Sequence, residues 1–178
     1  MRFSVTSLTT NVVLVTKVYF PREIFPFSAI LVSLVDFAAG AVGLAALMAY
    51  YGIAPSWTIV ALPAVVAIHV AFTAGMALML AMGNLFYRDV KYLFEVVIAT
   101  WMFATSVLYP TDAIGGEFGR LLQLNPMTPI IDAYRAVLLE GRLPDAGPFA
   151  AASVIALVTF VGGWLAFHRA EFQFAERI

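Results

Sequence analysis

Residues 17–26 read Lys17-Val18-Tyr19-Phe20-Pro21-Arg22-Glu23-Ile24-Phe25-Pro26, a charged segment with two prolines just ahead of the first long apolar run. A proline has no N–H and clashes with the preceding helical turn, so a helix cannot pass smoothly through both Pro21 and Pro26. The three charged side chains favour water or lipid headgroups, whereas residues 27–51 are apolar enough to enter a bilayer. The sequence therefore predicts a bend at a membrane surface, and its positive charges mark that surface as cytoplasmic.

Two interpretations of this segment are open. It is either an ordinary juxtamembrane turn whose basic residues anchor a span, or a docking element for a soluble partner. In the second case an amphipathic helix over residues 9–19 lies along the inner surface. Leu8, Val12, Val15 and Tyr19 fall at helical spacing on one face, a pattern that permits docking without requiring it.

The composition is that of an integral membrane protein. Of the 178 residues, 62% are hydrophobic and 12% are charged, which is far from the usual globular mixture. There is room for one compact helical bundle over residues 1–178 and none for a soluble catalytic domain beside it. A net charge of -1 gives no basic footprint for nucleic acid. The absence of cysteine excludes disulfides, thiolate metal sites and cysteine nucleophiles.

Apolar runs predict an all-α, polytopic membrane bundle with four spans, over residues 27–51, 57–82, 92–109 and 148–167. Each run can cross a hydrocarbon core that needs about 20 helical residues, although the third is at the short end. If the spans alternate, seven of the ten Lys and Arg residues fall on the side of the N-terminus. This bias places the segment 1–26, the tail 168–178 and both termini in the cytoplasm.

Small residues recur on the second predicted span. Ala67, Ala71 and Gly75 repeat every four residues and form a face that another helix can approach closely, and Gly40 and Gly43 offer a weaker surface on the first span. Packing within the bundle and packing between two copies of the chain both use such a face.

Two polar residues sit at matching depth in the first two spans. An intramembrane carboxylate is costly and needs a partner, and His69 is the one within reach of Asp36. We therefore expect an interhelical Asp36–His69 contact, as a tie that fixes the register of two helices or as part of a proton relay.

Residues 110–147 are too many for a simple turn and too polar for a span. A short helical piece over residues 117–124 is followed by a break at Asn125-Pro126, and a second helix begins with Thr128 as its cap and ends near Gly141. Two short helices between spans predict a re-entrant or interfacial hairpin on the outer side. A gate at the mouth of a pathway and a structured outer loop both fit this pattern.

Templates for chemistry are missing. The sequence has no Gly-rich phosphate loop, and its two histidines, His69 and His168, lie at different depths without metal-ligand spacing. Neither an enzyme, nor a cofactor, nor a metal site is expected.

Several motifs together are similar to the permease subunit of the type-2 ABC exporters that move polysaccharides and polyol phosphates. Their order and spacing match the family from one end of the chain to the other. They are Leu14-Val15-Thr16-Lys17-Val18-Tyr19-Phe20-Pro21-Arg22-Glu23, Asn84-Leu85-Phe86-Tyr87-Arg88-Asp89-Val90-Lys91-Tyr92, Leu108-Tyr109-Pro110, Leu124-Asn125-Pro126-Met127 and Ala133-Tyr134-Arg135.

The resemblance implies a homodimeric permease of the bacterial inner membrane, with six spans per subunit and membrane lipid around it. It also implies two cytoplasmic ATPase subunits as partners and a glycan or lipid-linked glycan, such as O-antigen, capsule or teichoic acid, as substrate. It implies an ATPase contact over residues 11–23 and a gate over residues 110–141. The implied coupling residues are Asn11, Lys17, Tyr19, Phe20, Arg22 and Glu23, and the implied channel and gate residues are Trp101, Tyr109, Pro110, Asn125 and Arg135.

Members of the family carry an amphipathic helix and two further spans ahead of the coupling segment, so this sequence resembles the C-terminal two-thirds of such a permease. Two other functions remain open from the sequence. One is an ion-coupled secondary transporter or channel that uses Asp36 and His69, and the other is a structural membrane assembly subunit.

Overall fold

The computed structural model describes residues 5–7, 24–87, 89–105, 107 and 125–170. These residues form helices and turns and contain no strand, which confirms the all-helical class. The helices are α1 (Ile24–Tyr50), α2 (Leu62–Phe86), α3 (Val90–Phe103), α4 (Met127–Arg135) and α5 (Ala146–Ala170). A 3-10 turn, Trp57–Ala61, leads directly into α2, and a π-helical turn, Ala136–Glu140, continues α4. The predicted coupling segment lies almost wholly outside the described residues.

Three helices of the described part are long and apolar enough to cross a membrane. They are α1 with 27 residues, the 3-10 turn together with α2 with 30 residues, and α5 with 25 residues. Because a span needs about 20 residues, each of them reaches across the hydrocarbon core.

The third predicted span, over residues 92–109, differs. Helix α3 has 14 residues, which gives it a length of about 21 Å. It ends at Phe103, next to a carbonyl, that of Ala104, which accepts a hydrogen bond from the Asn125 side chain at 2.8 Å. A continuing helix would pair that carbonyl with an amide four residues further on.

Helices α1, α2, α3 and α5 run alternately up and down the bundle, which gives it two distinct ends. We call the end that holds residues 51–61 the turn end. The hydroxyl of Thr58 donates to the carbonyl of Val137 at 3.0 Å, so α4 and its π-helical turn also lie at the turn end. At the opposite end, Phe167 of α5 packs with Leu85 of α2 and with Phe25 of α1.

A glycine in the left-handed conformation ends α1. Gly52 has φ 71°. The amide of Ile53 donates to the carbonyl of Met48 at 2.8 Å, and the amide of Gly52 donates to the carbonyl of Ala49 at 3.2 Å. These are the two hydrogen bonds of a Schellman cap, which satisfies the last carbonyls of a helix and turns the chain. The cap explains how α1 and α2 pack against each other after a connection of only a few residues.

Helix α2 is the centre of the bundle and contacts each of the other helices. Its closest partner is α5, at two facing glycines. A Cβ built on Gly75 would lie 2.5 Å from the carbonyl carbon of Thr159, and one built on Gly163 would lie 2.6 Å from the carbonyl oxygen of Gly75. The predicted small-residue face is therefore used for packing at Gly75, whereas Ala67 and Ala71 line an open groove beside Phe160.

Burial is uneven among the three long helices. In the most apolar window of each, 39% of the residues are buried in α2, 17% in α5 and 6% in α1. The outer faces of α1 and α5 consist of exposed aliphatic and aromatic side chains, which need lipid or protein around them.

Substitution of Gly75 by alanine should destabilise the bundle, because the added methyl group would overlap the backbone of α5. We expect a loss of about 1–3 kcal/mol, the usual cost of overpacking, seen as a lower midpoint of thermal unfolding in detergent. Gly43→Ala is the matched control, since a Cβ at Gly43 meets nothing within 4 Å. Equal unfolding midpoints for the two variants would contradict the close packing of α2 and α5.

Candidate functional site

Helix α4 lies across the junction of α2 and α5 and forms the centre of the candidate site. Its inward face carries Ile130, Ala133 and Val137, which are 0%, 2% and 1% exposed. Ile130 and Ala133 pack in one cluster with Val65 and Phe72 of α2 and with alanines of α5. The helix is therefore held by the bundle along its whole length and is not a loose outer loop.

The start of α4 is set by Asn125. Its Oδ1 accepts a hydrogen bond from the amide of Met127 at 3.1 Å, which is an Asx turn. The sequence predicted Thr128 as the cap, but the helix begins one residue earlier and Thr128 is buried in its first turn, 1% exposed. The side chain that orders the helix start comes from two residues before it.

Asn125 also reaches back to the end of α3. Its Nδ2 donates to the carbonyl of Ala104 at 2.8 Å and to the hydroxyl oxygen of Thr105 at 3.0 Å. The Thr105 hydroxyl in turn donates to the carbonyl of Trp101 at 2.7 Å. One side chain thus joins the end of α3 to the start of α4, about 20 residues apart in the chain.

The end of α4 is fastened to the turn that leads into α2. In the π-helical turn the amide of Gly141 bonds to the carbonyl of Ala136, so the carbonyl of Val137 does not receive it. The fully buried Thr58 hydroxyl donates to that carbonyl instead. Gly141 ends the helix as predicted, with φ 64°, and a Cβ there would lie 3.3 Å from the Cβ of Ser56.

Three aromatic rings meet where α1, α2 and α4 come together. The Nδ1 atom of His69 lies 3.2 Å from the hydroxyl of Tyr134. The ring of Phe37 stands edge-on to that of His69, with centroids 5.7 Å apart, and lies 6.0 Å from that of Tyr134. Burial raises the pKa of Tyr134 to about 12, so the hydroxyl keeps its proton and can donate a hydrogen bond to Nδ1 of His69.

The partner of His69 differs from the predicted one. Asp36 is exposed on α1, and in the described part of the chain no hydrogen bond or ion pair joins it to His69. The predicted depth of the contact on α1 was wrong by only one residue, since Phe37, the residue after Asp36, packs on His69. Successive residues of a helix point about 100° apart, so a helix that turns Phe37 toward His69 turns Asp36 away.

Two apolar grooves flank this aromatic cluster. Groove A, of about 790 Å³, runs between α1 and the start of α2 and is bordered by Phe37, Tyr134 and Val137. Groove B, of about 560 Å³, runs between α2 and α3 and is bordered by His69, Trp101 and Met127. The cluster therefore separates the two grooves. Their walls are almost entirely hydrocarbon and suit apolar chains or other helices better than free sugars.

The remaining predicted site residues are dispersed. Trp101 is half-buried in groove B, and Arg135 forms an ion pair with Asp132 at 3.2 Å within α4. The other predicted coupling and gate residues lie outside the described residues: Asn11, Lys17, Tyr19, Phe20, Arg22, Glu23, Tyr109 and Pro110. Within residues 24–87, 89–105 and 125–170, no group of three His, Asp or Glu side chains could hold a metal ion.

The sequence does not single out Thr58, and it gives Tyr134 only as part of the motif Ala133-Tyr134-Arg135. Thr58 sits in an apolar stretch and gives no periodic signal, and its partner is a backbone carbonyl 79 residues away. Tyr134 carries one further signal, because it lies four residues after Ile130, on the buried side of a short amphipathic helix.

Comparison with known proteins identifies the family. The model of the ABC-2 type transporter family matches residues 3–139, which include α1 to α4. The chain belongs to the ABC-2 type transporter family.

Relatives of this ABC-2 chain carry a common description. The chain is 35% identical over 167 residues to an O-antigen export system permease protein RfbA of Myxococcus xanthus. The alignment covers 93% of this chain and 64% of the relative. Two RfbA permease proteins of Klebsiella pneumoniae are 26% and 25% identical, with 97% of this chain and 67% of each relative covered. The ABC-2 chain thus spans about two-thirds of the length of these curated relatives.

The identity of the His69 partner can be tested by substitution. Tyr134→Phe keeps the ring packing but removes the hydroxyl, so the free energy of unfolding should fall by about 1 kcal/mol, the usual net value of a hydrogen bond. Asp36→Asn should act independently of Tyr134→Phe, because effects at sites without shared partners add within about 0.5 kcal/mol. Thermal unfolding in detergent measures both single variants and the double variant. A double variant that departs from the sum of the two single effects by more than about 0.5 kcal/mol would contradict the separation of Asp36 from the His69–Tyr134 pair.

Proposed function

We propose that this chain is the membrane-spanning permease part of an ATP-driven exporter that moves O-antigen, or a related lipid-linked polysaccharide, out of the cytoplasm. The observation that carries the proposal is the similarity to the Myxococcus xanthus O-antigen export permease, which extends over 93% of this chain. Membership in the ABC-2 family supports the same class of function, with ATP hydrolysed by a separate partner subunit.

The fold of the described residues agrees with a mechanical role. A permease needs membrane-spanning helices and a short helical element at one end of the bundle, which α1, α2, α5 and α4 provide. The described polar groups form structural ties and not a set of acid, base and nucleophile. In this proposal the chain supplies the passage and the partner supplies the energy.

The distribution of charge supports a cytoplasmic position for the end opposite the turn end. Lys91 and Arg169 lie at that end, where α3 begins and α5 finishes. At the turn end, Arg135 is paired with Asp132, and Arg142 with both Glu140 and Asp145. Over the whole sequence, seven of the ten Lys and Arg residues precede α1, adjoin the connection between α2 and α3, or end and follow α5. Because an excess of Lys and Arg marks the cytoplasmic side, the turn end and α4 face outward in this proposal.

The coupling segment belongs to the same cytoplasmic end, because α1 starts there. We propose that residues 11–23 dock on the ATPase and that movement of this segment shifts α1. The energy of a conformational change comes from contacts that differ between two states, here the contacts with the ATPase before and after ATP binding.

A second copy of the chain completes the passage in this proposal. The apolar window of α1 is only 6% buried, so α1 has most of its surface free for lipid or another subunit. Two copies side by side would part at their common face to admit the glycan, with the α4 helices at the exit.

An ion-coupled transporter that uses Asp36 and His69 has less support. His69 is engaged with Tyr134 and Phe37, and Asp36 is on another face of α1. An assembly subunit without transport activity is supported by no specific contact among the described residues.

The test of the proposed function is purification from native membranes in mild detergent, followed by identification of proteins that accompany the chain. We expect a P-loop ATPase in equal amount. Deletion of the gene should remove the exported glycan from the cell surface. A chain that purifies without any ATPase, from cells whose surface glycan persists after the deletion, would contradict the proposal.

Charge reversal of the coupling segment tests how the two subunits communicate. The double variant Arg22→Glu/Glu23→Lys should reduce glycan export at least about tenfold while ATP hydrolysis continues, because it reverses a docking contact worth more than about 1.4 kcal/mol. Arg142→Glu is the matched control at the turn end, far from the ATPase, and should leave the ratio of export to ATP hydrolysis unchanged. An unchanged ratio in the double variant would count against docking at residues 11–23.

A further inference from the structure

The side chain of Asn125 makes three hydrogen bonds that join the end of α3 to the start of α4. It accepts from the amide of Met127 and donates to the carbonyl of Ala104 and the hydroxyl oxygen of Thr105. Thr105 is 2% exposed, so water competes little for its bond with Asn125, whereas the bond to the Ala104 carbonyl is exposed. We call this set of hydrogen bonds the brace.

The brace controls one end of groove B. Met127 and Trp101 both line that groove, one from α4 and the other from α3. Met127 follows Asn125 by two residues and is bonded to it, and the Trp101 carbonyl is bonded to Thr105, which Asn125 holds. Any change in the brace therefore moves two walls of the groove relative to each other.

Among the described residues, helix α3 is less buried in the bundle than α4. Of the α3 residues only Phe94 is buried, whereas α4 buries Ile130 and Ala133. Helix α4 is also tied through its Tyr134 to His69, and the π-helical turn that continues it is tied to Thr58. Helix α4 is thus fixed to the bundle. The brace joins the Trp101 end of α3 to this fixed helix.

We infer that Asn125 is a positioning residue that sets the separation of α3 from α4 at the Trp101 end of groove B. The inference rests on the proposed function in one respect, namely that this separation governs how readily the exporter opens. When the brace is intact α3 moves together with α4 and the bundle, and when it breaks the Trp101 end of α3 swings away from α2 while the Val90 end stays in place.

Two substitutions remove the brace by different chemistry. Asn125→Asp keeps the acceptor for the Met127 amide but replaces the donor to Ala104 by a carboxylate oxygen. Asn125→Ser also keeps a side-chain oxygen near the helix start and adds no charge. Loss of two hydrogen bonds should lower the ratio of braced to unbraced molecules roughly 30-fold. Thr105→Val removes one of the two bonds and should give an intermediate change.

The absence of native cysteine allows a direct measurement of distance. Spin labels on Ile98→Cys and Met127→Cys report the Trp101 end of groove B. Labels on Leu80→Cys and Leu93→Cys report the other end. All four positions border the groove. In both Asn125 variants we expect the first distance to lengthen and broaden and the second to stay unchanged. An unchanged first distance would overturn the inference, whatever the protein transports.

The ratio of glycan export to ATP hydrolysis, measured on the full-length complex, distinguishes a positioning role of Asn125 from a purely structural one. We expect the glycan exported per ATP hydrolysed to fall in both variants while the amount of chain in the membrane stays the same. If export per folded molecule and per ATP is unchanged, and only the unfolding midpoint drops, Asn125 is a stabilising residue and the inference is wrong. A changed distance in a protein that exports no glycan would contradict the proposed function and leave the positioning role standing.

Discussion

The close approach of α2 and α5 at Gly75 and Gly163 is the contact on which the rest of the structure depends. In a bilayer the hydrophobic effect does not drive helices together, so association relies on van der Waals contact and on hydrogen bonds between helices. The missing side chains let backbone atoms meet directly. Only because these helices touch do they offer a continuous surface of valine, phenylalanine and alanine to which α4 can bind.

The second constraint is that a broken helix must satisfy its own backbone groups when it lies against apolar spans. Irregular backbone at such a place is tolerated only where protein shelters it. Both ends of α4 meet this requirement with side chains from other parts of the chain. Asn125 supplies the acceptor at the start, and Thr58 supplies the donor for the carbonyl that the π-helical turn leaves over. Helix α4 is thus a rigid element of the bundle and not a flap.

Local signals in the sequence predict the helical class, the end of the first span at residue 51 and the end of α4 near Gly141. They also indicate the family, through the motifs around Lys17, Arg88 and Asn125. Long-range contacts were not predictable in this way. Hydropathy gives the depth of His69 but not which neighbouring residue, Asp36 or Phe37, faces it. The end of α3 depends on Asn125, about 20 residues later, and the start of α4 depends on an Asx turn that competes with the expected Thr128 cap.

The π-helical turn at residues 136–140 makes chain length itself a structural variable. A π turn holds one residue more than an α turn, so a homologue with one residue fewer here could close an ordinary α-helix without any strain. Its α4 would be more regular, but the carbonyl that here accepts from Thr58 would instead accept a hydrogen bond inside the helix. The left-handed glycine would then no longer lie next to Ser56. Single-residue gaps at this turn in alignments of the family are therefore expected to mark a different attachment of α4 to the spans, whereas gaps in the connection after Gly52 would alter only a surface turn.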